Sequence, residues 1–199
     1  MGCVVLAGSG RSFCAGNDLG VVAGSAAQHG DQSQAEVIDE LEALPQPTIA
    51  RIHGYCLTGG LELALGCDLL LAATDAVLGD THGQWGLAPT WGMTVRLPER
   101  IGRSAAKLMM FTSRRVTGVD AQRMGLVDLA VSDVDLDTAV EELSVEIVAN
   151  SWGTNGICKA LIAGHSSQER IEALMNERSE PYGQPSDRAE RIARYTARK

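Results

Sequence analysis

Short apolar runs predict three strands in the first third of the chain. Residues 3–7 form an apolar run that ends at a Gly-Ser-Gly turn, which is typical of a buried strand. After the proline break at residues 45–47, residues 48–52 predict a second strand, and residues 69–73 predict a third.

Helical patterns lie between these strands. Residues 61–66 are almost all apolar and directly follow a glycine pair. Strands that alternate with helices predict a layered α/β core with parallel strands. An earlier helix is predicted because apolar residues recur at helical spacing at Val37, Ile38, Leu41 and Leu44.

The second half of the chain is predicted to be mainly helical. Residues 79–92 contain four glycines, one proline and two tryptophans without a period, which indicates an ordered and often functional loop. Residues 126–131 predict a last strand, and no strand pattern follows. We therefore divide the chain into an α/β core, 1–132, and a helical region, 133–199. Helical stripes are predicted at Ala105, Leu108 and Met109 and at Leu136, Val140, Leu143 and Ile147.

Composition and charge narrow the class of protein. With 199 residues and 45% hydrophobic content, the chain can bury one sizeable core. Its formal net charge of -8 argues against nucleic acid as a partner, because phosphate binding needs clustered Lys and Arg. No apolar run reaches the roughly 18 residues of a membrane span. The five cysteines are scattered and predict reduced, mostly buried thiols rather than a metal site, which favours the cytoplasm.

Two glycine-containing segments each follow a predicted strand. These are residues 13–19 and residues 54–62, and the second leads directly into a helix. Glycine lets backbone approach a ligand, and free N–H groups at a helix start stabilise an anionic oxygen. One amide from each segment could therefore hold a single carbonyl oxygen. The alternative is that the glycines only permit tight turns.

Three ordered motifs in the chain are similar to those of the enoyl-CoA hydratase/isomerase (crotonase) superfamily. The family patterns are F-C-A-G-x-D-L, then P-x-I-A-x-x-x-G-x-x-x-G-G-x-x-E-L-A-x-x-C-D, then G-L-x-P-x-x-G-x-x-x-x-L-P-x-x-I-G. They correspond here to residues 13–19, 47–68 and 86–102, with Thr58 at the first glycine of the G-G pair, followed by Gly-Leu-Val at 125–127. The resemblance covers residues 3–131 strongly and the helical tail weakly.

The resemblance implies a fold, a substrate and an assembly. The expected fold is α/β, with a crotonase-like ββα spiral core and a C-terminal helical trimerisation region. The expected substrate is an acyl-CoA thioester, so coenzyme A enters with the substrate and no separate cofactor or metal is expected. The expected assembly is a homotrimer or a hexamer. Members of this family usually have a β-hairpin, a loop and a helix before the first strand seen here, and without them we expect weaker CoA binding.

The resemblance also assigns the oxyanion hole and its surroundings. The two backbone donors would be the amides of Asn17 and Gly59, while Ala15, Gly16 and Gly60 would be among the substrate-binding residues. The acyl pocket would be lined by Trp85, Leu87, Pro89 and Trp91, although loop aromatics often only pack.

Glu62 is the first candidate catalytic side chain. Its neighbours on the predicted helix are apolar, and that is a costly place for a carboxylate unless it is paired or used. A first-turn acid favoured by the helix dipole is the alternative. By the resemblance, Glu62 matches one of the two glutamates of enoyl-CoA hydratases.

By the same resemblance, His82 stands at the position of the second hydratase glutamate. A histidine can exchange protons near neutral pH, so His82 is a candidate catalytic residue. It could instead hold a water molecule or be a plain loop residue. The sequence therefore leaves open 2-enoyl-CoA hydration, double-bond isomerisation, a single-carboxylate decarboxylation or hydrolysis, and a catalytically impaired acyl-CoA-binding protein.

The remaining polar candidates have weaker assignments. Asp18 and Asp68 match family aspartates and are expected to be structural. Ser9 and His53 do not form a hydrolytic dyad by sequence, because no nucleophile elbow surrounds Ser9. The basic tail either meets the CoA phosphates, as the resemblance implies, or is a solvated helix face; it comprises Arg188, Arg191, Arg194, Arg198 and Lys199.

Overall fold

The computed structural model describes residues 1–17, 33–165 and 168–197, which group into two units. The larger unit comprises residues 5–44 and 48–142, and the smaller unit comprises residues 1–4, 45–47 and 143–199. Three residues discussed in the sequence analysis lie outside the described residues, namely Asp18, Arg198 and Lys199.

The main sheet is built from the predicted apolar runs. It has four strands in the order β1-β2-β4-β7. Strands β2 and β4 are parallel, with Ile49 opposite Leu69, and β4 is parallel to β7. Ile49 and Ala50 of β2 and Leu70 and Leu71 of β4 are fully buried, as expected for parallel strands covered on both faces. The four strands are β1 (Val4–Ala7), β2 (Thr48–Ile52), β4 (Leu69–Ala73) and β7 (Leu129–Val131).

Strand β7 is shorter than the sequence predicts. The amides of Leu126 and Val127 donate to the carbonyl of Ala121, at the end of the preceding helix, rather than to the sheet. Both side chains are buried, so the apolar run is explained by packing rather than by strand pairing.

A second sheet positions the candidate site. It has three strands in the order β3-β5-β6, with β3 and β5 parallel and β5 and β6 antiparallel. The strands are β3 (Tyr55–Leu57), β5 (Val77–Gly79) and β6 (Arg115–Thr117). The sequence does not predict this sheet, because three residues are too few to establish a period of two.

The larger unit holds most of the short helices. These are α1 (Ser33–Glu42), α2 (Gly59–Leu65), α3 (His82–Trp85), α4 (Met93–Ile101), α5 (Arg103–Thr112) and α6 (Gly118–Arg123).

The apolar faces of two of these helices differ from the predicted stripes. On α1, Ile38 is buried and Val37 is 57% exposed. On α5, Ala106 and Met109 face the core and Leu108 is 49% exposed, so the predicted stripe was shifted.

After β7 and a short 3-10 turn, Asp133–Asp135, the described elements are helical. Leu136 and Val140 are buried, as the predicted stripe requires. Within the smaller unit, Lys159 donates to the carbonyl of Gln46, and Ser151 donates to Asp187. These helices are α7 (Leu136–Ala149), α8 (Trp152–His165), α9 (Arg170–Arg178) and α10 (Arg188–Thr196).

Two sequence predictions concern membrane-spanning segments and the burial of the cysteines. None of the described helices is long and apolar enough to cross a membrane. Only Cys56 and Cys67 of the five free cysteines are buried, and Cys158 is exposed, so the prediction of mostly buried thiols was too broad.

Candidate active site

The turn between β3 and α2 has a strained backbone. Thr58 has φ 56° and ψ -117°, a conformation that is costly for a β-branched residue. Two contacts hold it there: its amide donates to the carbonyl of Gly79 at 3.0 Å, and its hydroxyl bonds to that of Thr81. The Thr58 carbonyl accepts the amides of Leu61 and Glu62.

The first two residues of α2, Gly59 and Gly60, are buried. Among the described residues, the N–H groups of Gly59 and Gly60 donate to no backbone carbonyl. Free N–H groups at a helix start carry partial positive charge and favour an anionic oxygen. Because α2 is short, a second donor from elsewhere in the chain would be needed for a strong site.

The segment after β1 converges on this turn. Cys14 pairs with β3, since its amide donates to the carbonyl of Tyr55 and its carbonyl accepts the amide of Leu57, both at 3.0 Å. Gly16 has φ 97°, and a Cβ placed on it would lie 3.6 Å from the Gly59 amide nitrogen. The structure therefore brings together the two segments that the sequence singled out.

The small residues of these segments have distinct roles. A Cβ on Gly60 would overlap the carbonyl of Cys14, so glycine is required for the close approach of the two backbones. Ala15 and Asn17 are exposed. Among the described residues, the Asn17 amide also donates to no backbone carbonyl.

Glu62 lies on α2, one turn after Gly59, and is 1% exposed. Its Oε1 atom accepts two backbone hydrogen bonds, from the amide of Trp91 at 2.9 Å and from that of Met93 at 3.1 Å. Burial raises the pKa of Glu62, and these two amides and His82 oppose that rise while Asp80 adds to it. Glu62 is therefore a buried carboxylate whose Oε1 atom is fixed by two backbone amides, while Oε2 accepts no backbone amide of the described residues.

His82 begins α3 and places its ring beside Glu62. Its Nε2 atom lies 3.7 Å from Oε2 of Glu62, and the residue is 7% exposed. An oxygen atom at about 2.8 Å from each of these two atoms would contact both. The two candidate catalytic side chains, which are distant in sequence, therefore face one another.

Asp80 is a member of this cluster that the sequence analysis did not identify. It is 1% exposed, and its Oδ1 atom accepts the His82 amide at 3.1 Å and contacts His82 Nδ1 at 2.5 Å. The signal in the sequence is an Asp-x-His spacing directly after a strand. This spacing is common and does not by itself show that the two side chains are in contact. The contact depends on the orientation of the His82 ring.

Trp91 connects the glycine turn to Glu62. Its ring packs against Gly59, because a Cβ on Gly59 would overlap the indole. Its amide binds Glu62, and its carbonyl accepts a 2.7 Å hydrogen bond from Arg96. Gly92, with φ 106°, leaves space that the Arg96 guanidinium fills. One residue of the predicted acyl pocket is thus in contact with the turn.

Of the other three predicted pocket residues, Trp85 ends α3, and Leu87 and Pro89 lie on the loop that leads to Trp91. Trp85 is 49% exposed, Leu87 is 36% exposed and Pro89 is half-buried. Aromatic and aliphatic surface of this kind is available to an apolar ligand.

Two further sequence predictions can be compared with contacts. Asp68 is structural, since its Oδ2 atom accepts the amide and hydroxyl of Thr48 at 2.7 and 2.9 Å. In the basic tail, Arg191 pairs with Asp187, and Arg194 pairs with Glu190 on the same helix. These pairs favour a solvated helix face for that part of the tail.

The fold and site together define a class of protein. A mixed α/β fold carries two glycine-containing segments that meet beside a buried helical carboxylate. The chain belongs to the enoyl-CoA hydratase/isomerase family, whose model matches residues 1–192.

Similar proteins agree with this assignment. The chain is 42% identical over 159 residues to the Bacillus subtilis protein YngF, which carries an enoyl-CoA hydratase/isomerase name; the match covers 74% of this chain and 58% of YngF. It is 44% identical over 130 residues to bovine enoyl-CoA hydratase domain-containing protein 2, covering 60% of this chain and 42% of that protein. The chain thus spans about half the length of these relatives.

A solved structure matches over the whole chain. The crystal structure of enoyl-CoA hydratase from Bacillus anthracis has a TM-score of 0.94 and 32% sequence identity to this chain, and the match covers 100% of this chain and 79% of that one. This likeness confirms the predicted crotonase-like fold.

Proposed function

We propose that the chain acts on 2-enoyl-CoA thioesters, by hydrating the double bond or by moving it. The observation that carries this proposal is the buried pair of Glu62 Oε2 and His82 Nε2, 3.7 Å apart and beside the Gly59 turn. Both reactions need a side chain that transfers a proton to or from a substrate carbon near the polarised thioester carbonyl.

The thioester oxygen would be held by the amides of Asn17 and Gly59. Support comes from the convergence of the two segments at Gly16, and from the absence of other backbone partners for both amides among the described residues. As the thioester becomes an enolate, charge moves onto its oxygen. A donor aimed at such charge is worth about 10²–10³ in rate.

Glu62 and His82 would act on the substrate carbons. In hydration, the water oxygen lies between Oε2 and Nε2 and adds to Cβ, while a proton is delivered to Cα. In isomerisation, Glu62 alone moves a proton from one carbon to another. The fixed Oε1 atom of Glu62 directs Oε2 toward the reaction in both cases.

The proposal also includes the surface that binds the acyl chain, the oligomeric state and the location in the cell. The apolar surface of Trp85, Leu87, Pro89 and Trp91 would receive the acyl chain. We further propose an oligomer, a homotrimer or hexamer, in the cytoplasm.

Two assays test the proposal. Hydration of crotonyl-CoA is followed as the loss of enone absorbance, and isomerisation of a 3-enoyl-CoA is followed as the gain of enone absorbance. We expect turnover by the wild-type chain and a loss of about 10²–10⁴ in kcat for Glu62→Gln. The amide oxygen of the introduced glutamine can still accept from Trp91 and Met93, so acyl-CoA binding measured by calorimetry should survive. The matched control is Glu99→Gln, at an exposed position of α4, which should retain activity.

Other outcomes would decide for other functions. Equal turnover by Glu62→Gln and wild type would refute the assignment of Glu62. Acyl-CoA binding without turnover of either substrate would identify an acyl-CoA-binding protein instead. Release of free CoA thiol, detected with a thiol reagent, would indicate hydrolysis.

A further inference from the structure

Asp80 fixes the ring of His82 in one orientation. The Oδ1 atom of Asp80 accepts the backbone amide of His82 at 3.1 Å and lies 2.5 Å from Nδ1 of the same residue. An ionised carboxylate only accepts hydrogen bonds, so Nδ1 carries the hydrogen. In the neutral ring, Nε2 is then an acceptor, and it faces Oε2 of Glu62.

Glu62 is suited to the opposite role. Burial raises the pKa of its carboxyl group, and the charge of Asp80 raises it further, against the effects of the Met93 and Trp91 amides and of His82. A protonated Glu62 carries its hydrogen on Oε2, because Oε1 already accepts two backbone amides. The pair therefore presents a donor oxygen and an acceptor nitrogen to the same space.

We propose that Asp80 is a positioning residue that holds His82 with Nε2 as the proton acceptor, so that His82 is the base and Glu62 the acid of the pair. This proposal rests on the proposed function. It assigns the proton-accepting role to a residue that is not a carboxylate.

The proposed hydration step balances as follows. A water oxygen bonds to Cβ while Nε2 of His82 takes one of its protons. The electrons of the double bond move to Cα and the thioester oxygen, and Glu62 gives its proton to Cα. The resulting imidazolium lies between the carboxylates of Asp80 and Glu62, which stabilise it. The Nε2 proton, which came from the water, then passes to Oε2 of Glu62 and replaces the one given to Cα, so both groups regain their starting states.

The first test reads the tautomer of His82 directly. Histidine labelled with ¹⁵N is observed by NMR at a pH where the ring is neutral, and the signal is assigned by its loss in His82→Gln. We expect the tautomer with hydrogen on Nδ1 in the wild type and in Asp80→Asn, whose amide oxygen can still accept, and its loss in Asp80→Ala. Hydrogen on Nε2 in the wild type would overturn the proposal, whether or not the chain turns over an enoyl-CoA.

The second test separates positioning from stability. With crotonyl-CoA, we expect Asp80→Ala to lower kcat about 100-fold and Asp80→Asn less than about 10-fold. Because the Asp80 charge raises the pKa of Glu62, Asp80→Asn should move the Glu62 limb of the pH profile to lower pH. Asp68→Ala removes a structural carboxylate and should lower Tm without changing kcat or the pH profile.

The outcomes distinguish this proposal from the proposed function. An active wild type with unchanged kcat and pH profile in both Asp80 variants would overturn the role of Asp80 and leave the function standing. A wild type inactive on both enoyl-CoA substrates would refute the proposed function, and the NMR result would still decide the orientation of His82.

Discussion

Nη1 of Arg96 donates a hydrogen bond of 2.7 Å to the carbonyl oxygen of Trp91. The same guanidinium pairs through Nη2 with Asp39 and Glu42 of α1, each at 2.6 Å. Since the Trp91 amide binds Glu62, Arg96 links helix α1 to the backbone that orients the candidate catalytic carboxylate.

Replacing Arg96 should therefore disturb catalysis from outside the reacting atoms. We expect Arg96→Met to lower kcat about 10–100-fold, because a small displacement of Trp91 moves Oε2 of Glu62 away from the substrate. The control is Arg123→Met, since Arg123 is largely exposed and pairs with Asp120 on its own helix. Steady-state kinetics on crotonyl-CoA measure both, and equal kcat values would contradict the link.

Glu62 should make stability depend on pH with a definite sign. Its folded-state pKa is raised above the unfolded value of about 4.3, so between these values the folded chain holds more protons than the unfolded chain. The stabilising contribution is present below the unfolded pKa and is lost as pH rises through the folded pKa.

The measurement is urea unfolding of wild type and Glu62→Gln across this pH window. The introduced glutamine does not titrate. The free energy of unfolding of the variant minus that of the wild type should therefore increase as pH rises. A difference that stays constant, or that changes in the opposite direction, would contradict the raised pKa.

The contact of Gly60 with Cys14 should not tolerate a side chain. A Cβ there would overlap a backbone carbonyl that also accepts the Leu57 amide, so neither strand can move freely. We expect Gly60→Ala to lower the free energy of unfolding by about 1–3 kcal/mol. Gly164→Ala is the control, since a Cβ there meets nothing within 4 Å and alanine should stabilise α8 by up to about 1 kcal/mol. Equal effects of the two changes would refute this account of Gly60.

Asp68 should contribute to the stability of the fold and not to catalysis. Asp68→Ala leaves the buried amide and hydroxyl of Thr48 without this partner, at a cost of about 1–3 kcal/mol. Denaturant unfolding measures the cost, and turnover per folded chain should equal that of the wild type. A lower kcat would show that Asp68 reaches the site.

The sequence predicted the features that depend on local pattern. The short apolar runs around Ile49 and Leu70 identified the parallel strands, and the position of a carboxylate among apolar residues singled out Glu62, which is buried. The glycine segments could be placed after predicted strands, and they converge at Gly16 and Gly59 because Cys14 pairs with Cys56 of β3.

Features that depend on distant contacts were not predictable in the same way. The two amides that fix Glu62 come from residues 29 and 31 positions later in the chain. The role of Asp80 depends on the orientation of the His82 ring, which no local pattern specifies. The three-residue strands of the second sheet pair only because the rest of the fold holds them together.

The most direct test of the central claim is a crystal structure of Glu62→Gln with crotonyl-CoA, which this variant should bind without turnover. We predict the thioester oxygen within about 2.7–3.1 Å of the amide nitrogens of both Asn17 and Gly59, with the double bond next to residue 62. A thioester oxygen bound away from these two amides would contradict the account.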